Sequence, residues 1–193
     1  FLRNQLEKQN IKEEIKLGVL TGRSINSSRY IYADLHLPEP AVWIARAGTE
    51  IYYENKLDSI WQSAIGVDWN REAVQETLSD LKDHLVLQRQ EDQSSYKISY
   101  LLKEPGDGIL SLVRKRLRQK GFAAAPYLRC HWYLDVLPLR ASRSEAIRYL
   151  TLRWNFPLDQ VFVVASQQGD DELMRGLTTA LVPLEHDSSL EDL

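Results

Sequence analysis

YLDVLPLRASRSEAIRYLTLRWNFPLDQVFVVASQQGDDEL, residues 133–173, is the stretch from which the fold can be read. Tyr133 to Leu137 is a short apolar run closed by Pro138, which has no N–H to continue a strand ladder. Ser142 offers an N-cap oxygen, and Glu145 follows at capping-box spacing. Ile147, Leu150 and Trp154 then recur at helical intervals, so one face of the helix is apolar and must pack. Pro157 stops the helix, and Val161 to Ala165 has the continuous apolar character of a buried parallel strand. Gln167, Gln168, Gly169, Asp170, Asp171 and Glu172 form an acidic loop at that strand's carboxyl end, where open α/β sheets bind ligands. Strand, helix, strand and acidic loop predict a βαβ unit with a site at its tip.

The whole chain has 193 residues, enough for one domain or a small core with an inserted cap. Hydrophobic residues make up 44% and charged residues 26%, the mixture of an ordinary globular protein. A net charge of −3 argues against nucleic-acid binding, which needs surplus Lys and Arg. Cys130 is the single cysteine; this excludes an internal disulfide and a multi-cysteine zinc site and suits a reducing cytoplasm. No apolar run approaches the roughly 20 residues that span a bilayer, so no membrane is expected. Because the chain opens at Phe1, inside a polar helical pattern, it is expected to be part of a longer protein.

Taken in order, Phe1 to Gln9 reads as the end of an amphipathic helix with Phe1, Leu2 and Leu6 on one side. Ile15 to Leu20 is the first strand, running into Thr21-Gly22-Arg23-Ser24. The helix expected over about 25–35 would point its N-terminal dipole at an anion held there. Small polar residues also serve ordinary strand-to-helix turns. Ala41 to Ala45 is another short strand, and Gly48-Thr49-Glu50 before Ile51-Tyr52-Tyr53 predicts a tight turn feeding a hairpin. From about Trp61 the pattern changes to an inserted module of α-β-α-β order. Asn70 caps a helix whose apolar positions are Val74, Leu78, Leu81 and Leu85. Residues 96–102 alternate as a strand, Ile109, Leu110, Val113 and Leu117 line a second helix, and Gly121 is its C′ residue. A further strand lies around 127–131. The run 114–120, RKRLRQK, fits the exposed face and carboxyl end of that second helix. His36, His84, His131 and His186 show no metal-ligand spacing, and the tail from Glu185 is acidic and polar.

The wording LDVLP-x-x-ASRS-x-A-x-RYL-x-x-RW, together with T-G-R at 21–23, resembles the sucrose-phosphate phosphatase family of the haloacid dehalogenase superfamily. It is most similar to the phosphatase-like C-terminal domain of sucrose-phosphate synthases. The resemblance implies an α/β fold: a Rossmann-like haloacid-dehalogenase core with a parallel sheet over 1–60 and 135–193, and an α+β cap over 61–134. It implies phosphate binding by Thr21, Gly22, Arg23 and Arg143, the last being Lys in the phosphatases. It also implies sugar contact by Gly48, Thr49, Glu50 and Lys97. From the residues alone Gly48 could merely make its turn, and Lys97 could be a solvated edge lysine. The family's metal loop, G-D-x-G-N-D, reads Ser166-Gln167-Gln168-Gly169-Asp170-Asp171 here, which leaves Asp170 and Asp171 as candidate Mg²⁺ ligands. Gln167 is a neutral amide where the pattern has Asp, and Mg²⁺ prefers anionic oxygen. The family's D-x-D-x-T nucleophile strand is absent, so no catalytic residue is assigned.

The resemblance thus points to a catalytically degenerate module of a sucrose-phosphate synthase that binds sucrose 6-phosphate. Its partners would be the glycosyltransferase domain of the same chain and a separate sucrose-phosphatase. An active, Mg²⁺-dependent sucrose-phosphatase truncated at its N-terminus is the first alternative. A vestigial interaction module that docks the true phosphatase is the second.

Overall fold

The computed structural model of the protein describes residues 15–106, 108–166, 170–174 and 178–186. The helix expected at Phe1 to Gln9, the loop residues Gln167, Gln168 and Gly169, and the end of the acidic tail lie outside the described residues.

β1 (Gly18–Leu20) pairs in parallel with β2 (Val42–Ala45) through the crossover helix α1 (Ile25–Asp34). The helix starts where Ser24 Oγ accepts from Ser27 N at 3.3 Å, which satisfies one of its unpaired amides. β2 turns back through a 3₁₀ turn at Arg46–Gly48 into β3 (Glu50–Tyr53), which pairs with β4 (Lys56–Leu57). Glu54 and Asn55 join the last two strands with φ of 45° and 76°, the left-handed pair that two-residue hairpins require. Asp58 then caps α2 (Ser59–Ile65) by accepting from Ile60 N and Trp61 N, both at 3.0 Å.

A second sheet, in the order β5-β6-β8-β7, is antiparallel throughout. Its strands are β5 (Leu85–Leu87), β6 (Ile98–Leu102), β7 (Ala124–Arg129) and β8 (Tyr133–Pro138). The helices α3 (Arg71–Leu78) and α4 (Gly108–Gln119) cover one face. Val74, Leu78, Val113 and Leu117 from the helices bury against Ile98, Tyr100, Leu102, Leu134 and Val136. Strand side chains alternate, so Lys97, Ser99, Arg129 and Asp135 fall on the other face, toward the core. Asn70 caps α3 by accepting from Ala73 N at 3.0 Å, and Gly121 ends α4 with φ 73°. Leu85 leaves the helical pattern: a 3₁₀ turn at Ser79–Leu81 ends the helix, and Leu85 begins a strand. The cap therefore runs α-β-β-α-β-β rather than α-β-α-β.

The expected βαβ unit is not formed. β8 lies antiparallel between β6 and β7, while β9 (Phe162–Val164) pairs in parallel with β10 (Thr179–Leu181). Cys130 and His131 adopt φ of 49° and 55° and reverse the chain tightly, so β7 and β8 close as a hairpin. A short apolar run cannot by itself distinguish this from a buried parallel strand. The expected boundary at residue 134 consequently falls inside β8, and the cap sheet extends to Pro138. β9 is half-buried rather than fully buried: Val163 enters the core while Phe162 and Val164 are exposed.

α5 (Arg143–Trp154) begins with Ser142 Oγ accepting from Glu145 N at 3.1 Å and ends at Asn155 in the left-handed region. Ala146, Ile147 and Leu150 bury against Val42, Ile44, Ile51, Trp61 and Val163, forming the main core. A final short helix, α6 (Asp171–Met174), adds Leu173 to it.

Candidate functional site

Two helix N-termini and one face of the cap meet around the Arg46–Gly48 turn. The backbone there is unusual. Arg46, Ala47 and Gly48 have φ of 47°, 60° and 99° in succession. Left-handed conformations at the two non-glycines cost about 1–3 kcal/mol each, offset by two bonds to the loop after β1. Arg46 N donates to Arg23 O at 2.9 Å, and Ala47 N donates to Thr21 O at 3.0 Å. Gly48 is packed against the start of α5. A Cβ there would lie 2.3 Å from Ser142 O and 2.8 Å from Arg143 N, so only glycine fits. Trp61 Nε1 donates to Gly48 O at 2.9 Å and fixes the turn from below.

The first N-terminus carries Thr21, Gly22 and Arg23. Thr21 N donates to Ile44 O at 2.8 Å, and its Oγ1 accepts from Arg23 N at 3.2 Å and from Ser28 Oγ at 3.4 Å. With those acceptor positions used, the Thr21 hydroxyl proton is available to an incoming oxygen. The second N-terminus carries Arg143, which is buried and pairs through Nη1 with Asp170 Oδ1. Asp170 Oδ2 accepts from Ser166 N at 3.0 Å. Glu172 sits over the same helix end: Oε1 accepts from Arg143 N at 3.2 Å and Oε2 from Ser144 Oγ at 3.3 Å. Burial raises the Glu172 carboxyl above its ordinary value, although Arg143 and these hydrogen bonds oppose the shift. Burial, with help from Glu172 and Glu145, also pushes the nearby Tyr127 phenol up to about 12.

The cap contributes a buried charge cluster. Asp135 is fully buried, with Lys97 Nζ 3.3 Å from Oδ1 and Arg129 Nε 2.7 Å from Oδ2. Ser99 Oγ donates to Oδ1 at 2.6 Å, and Lys97 Nζ donates to Asp92 O at 3.3 Å. Burial alone would raise the Asp135 carboxyl, but Lys97 and Arg129 outweigh it and hold it below the usual carboxylate range. Lys97 is lowered by burial, and Arg129 and Arg46 add repulsion. Among the described residues its only carboxylate partner is shared with a closer arginine, so its burial is less well compensated than that of Asp135. The cap is tied to the core by Arg46, whose Nη1 donates to Glu91 O at 3.0 Å while Nε pairs with Glu50 at 3.3 Å. Above the first N-terminus, a Cβ on Gly22 would lie 3.7 Å from the Cζ and Nη1 of Arg129.

Of the residues expected from sequence, Thr21 and Arg23 are joined to Gly48 and Arg143 by this one turn. Thr49 is fully buried and donates through Oγ1 to Arg46 O at 3.0 Å. Glu50 pairs with Arg46 and accepts from Tyr52 OH at 3.0 Å. Lys97 is not the solvated edge lysine that the sequence allowed: only 2% of it is exposed, and β6 is flanked on both sides. Ser99, Arg129 and Asp135 were not anticipated, and Glu172 was expected only as part of the acidic loop. The signal for Asp135 was present as a lone acid between Leu134 and Val136, since a buried carboxylate demands partners.

Asp170, which the sequence offered to Mg²⁺, is taken up by protein donors. Both Asp170 oxygens accept from protein donors, and those of Glu172 are engaged likewise. Among the described residues no group of three or more His, Cys, Asp or Glu side chains could hold a metal ion. Among the same residues no helix is long and apolar enough to cross a membrane.

Comparison with known proteins places this geometry. The family model for sucrose-6F-phosphate phosphohydrolase matches residues 2–193. Sucrose-phosphatase 1 of Nicotiana tabacum is 30% identical over 150 residues, covering 76% of this chain and 35% of the relative. Probable sucrose-phosphate synthase 3 of Arabidopsis thaliana is 28% identical over 169 residues, covering 75% of this chain and 16% of the relative. The chain thus spans about a third or less of the length of these two relatives. Among solved structures, the sucrose-phosphatase of Synechocystis in complex with sucrose and phosphate superposes with a TM-score of 0.89 at 24% identity, covering 99% of this chain and 79% of that one. A haloacid dehalogenase-like hydrolase from Bacillus subtilis gives 0.69 at 18% identity, covering 100% and 75%. The fold is therefore that of the haloacid dehalogenase-like hydrolases, and the chain belongs to the sucrose-6F-phosphate phosphohydrolase family.

Proposed function

We propose that this chain is a phosphatase-like module of a sucrose-biosynthesis protein, and that it binds sucrose 6-phosphate between core and cap without turning it over. The observation that carries the reading is the meeting of the charged cap face with the Thr21–Arg23 turn, at Gly22. A phosphate bound there would lie at the N-terminus of α1, where the helix dipole favours an anion. The Thr21 hydroxyl would donate to it, Arg23 would screen its charge, and Arg143 would add a second cation from the start of α5. The buried Gly48–Thr49 turn would hold the cleft's floor from beneath, with Glu50 its part-exposed residue, and Lys97 would set the charge of the face above it.

Loss of turnover is supported by Gln167, a neutral amide where the family's metal loop has Asp. Likeness to a sucrose-phosphate synthase supports a parent protein in which glucosyl transfer to fructose 6-phosphate occurs in another domain. Likeness to a sucrose-phosphatase favours a second reading, an active Mg²⁺-dependent hydrolase. Calorimetric binding of sucrose 6-phosphate, with phosphate release assayed in parallel with and without Mg²⁺, tests both on the full-length protein. Binding without release is expected. Release abolished by chelation would establish the second reading, and absence of binding would exclude both.

A further inference from the structure

We propose that Arg129 is the cap's anion-reading side chain, which turns the cleft's preference toward phosphorylated over free sugar. The assignment rests on the reading of the cleft as a sugar-phosphate site. Arg129 is the last residue of β7, just before the tight reversal at Cys130 and His131. Its Nε donates to Asp135 Oδ2 at 2.7 Å, and its guanidinium carbon stands 5.4 Å from the Tyr133 ring centroid. These two contacts fix the plane of the guanidinium. The guanidinium lies over the Thr21–Arg23 turn: a Cβ on Gly22 would stand 3.7 Å from its Cζ and Nη1 and 3.9 Å from its Nε.

Among the described residues those Nη groups donate to no protein acceptor, and Arg129 keeps 24% of its side-chain surface. The Gly22 N–H likewise meets no acceptor among them. A planar fork with unspent donors, held rigidly opposite an unspent backbone amide and the Thr21 hydroxyl, is the arrangement that recognises phosphate oxygens.

Charge leads to the same place. Asp135 carries one negative charge against the two positive charges of Lys97 and Arg129, while Arg46 is balanced by Glu50. The cap face therefore holds one uncompensated cation in a buried setting, where pairing with an anion gains more than it would in water. Lys97 spends its ammonium on Asp92 O and Asp135 Oδ1, whereas Arg129 has both Nη groups left to offer. A neutral sugar satisfies none of this excess.

The test uses the full-length protein with Arg129→Gln and Arg129→Lys, titrated calorimetrically with sucrose 6-phosphate, sucrose and inorganic phosphate. Near-ultraviolet circular dichroism and melting confirm that each variant folds. Arg129→Gln should weaken sucrose 6-phosphate and inorganic phosphate at least tenfold and leave sucrose within twofold. Arg129→Lys keeps a charge for Asp135 but loses the fork, and should recover only part of the phosphate affinity. Phosphate affinity unchanged in either variant overturns the assignment. An equal loss for all three ligands overturns it too, because Arg129 would then be no more than a prop for Asp135. A wild-type protein that binds none of the three would sink the reading of the cleft, and the assignment with it.

Discussion

Gly48→Ala is the sharpest perturbation available, because its consequence can be worked from two numbers. Gly48 has φ of 99°, a left-handed backbone that an L side chain adopts at a cost of about 1–3 kcal/mol. The added methyl would lie 2.3 Å from Ser142 O and 2.4 Å from Ser142 C. Both are backbone atoms at the start of α5, so no rotamer change can relieve the clash and the turn must move. Overpacking of this kind costs typically about 1–3 kcal/mol. The two effects together predict a loss of about 2–6 kcal/mol, a large share of the 5–15 kcal/mol that stabilises a domain. At about 2–4 °C per kcal/mol for a chain of this size, the melting temperature should fall by roughly 4–24 °C. Thermal melts followed by circular dichroism, with urea titrations for confirmation, read this directly. Gly22→Ala is the control: its Cβ would meet nothing closer than 3.7 Å, ordinary van der Waals contact, so less than about 1 kcal/mol is expected. A Gly48→Ala protein melting within 2 °C of wild type would refute the close approach between the turn and α5, and with it the link between the two N-termini.

Two further predictions concern Asp135 and Glu172. Asp135→Asn strips the counter-charge from Lys97 and Arg129 and should destabilise the fold by about 3–5 kcal/mol, the range for breaking a buried pair, measured by urea denaturation. Because Asp135 titrates below its ordinary value in the fold, its contribution is present above its unfolded pKa of about 4 and is lost as pH falls through the folded value. The acid limb of the wild-type stability curve should therefore flatten in Asp135→Asn. Glu172 has the opposite sign. Its carboxyl is raised by burial, so its favourable contribution is complete below about pH 4.3 and is lost as pH rises through the folded value. Glu172→Gln keeps a carbonyl for Arg143 N, and should leave the protein at least as stable at pH 7 while removing that decline from the pH–melting profile. A clear loss of stability at pH 7 would show that the charge itself holds α5.

Local chemistry was legible in the sequence wherever a single residue type answers a single backbone need. Ser24, Asn70 and Ser142 cap helices because their side chains accept from amides that lack partners, and Gly121 ends α4 by taking a positive φ. Pairing of distant segments was not legible. Residues 133–138 look like a parallel strand leading into α5, yet the reversal at Cys130 and His131 draws them into the cap sheet, and neither residue is one that turn statistics favour. The site shows the same division. Thr21, Gly22, Arg23 and Arg143 stand at helix starts that the sequence marks. Asp135 and its partners Lys97, Ser99 and Arg129 come from three different strands, and only the sheet register joins them. Gln167, on which the reading of the metal loop turned, lies outside the described residues.

The Arg46–Gly48 turn has a consequence for how such a protein can drift. Arg46 answers to Arg23, Glu50 and Glu91, Ala47 to Thr21, and Gly48 to Ser142 and Trp61. A replacement at any of the three must be matched in several separate segments at once. Thr21 and Arg23 enter that web through backbone oxygens, so their side chains can change while the turn is kept. In a lineage released from the need for turnover, the outline of that turn should therefore outlast the side-chain chemistry displayed on it.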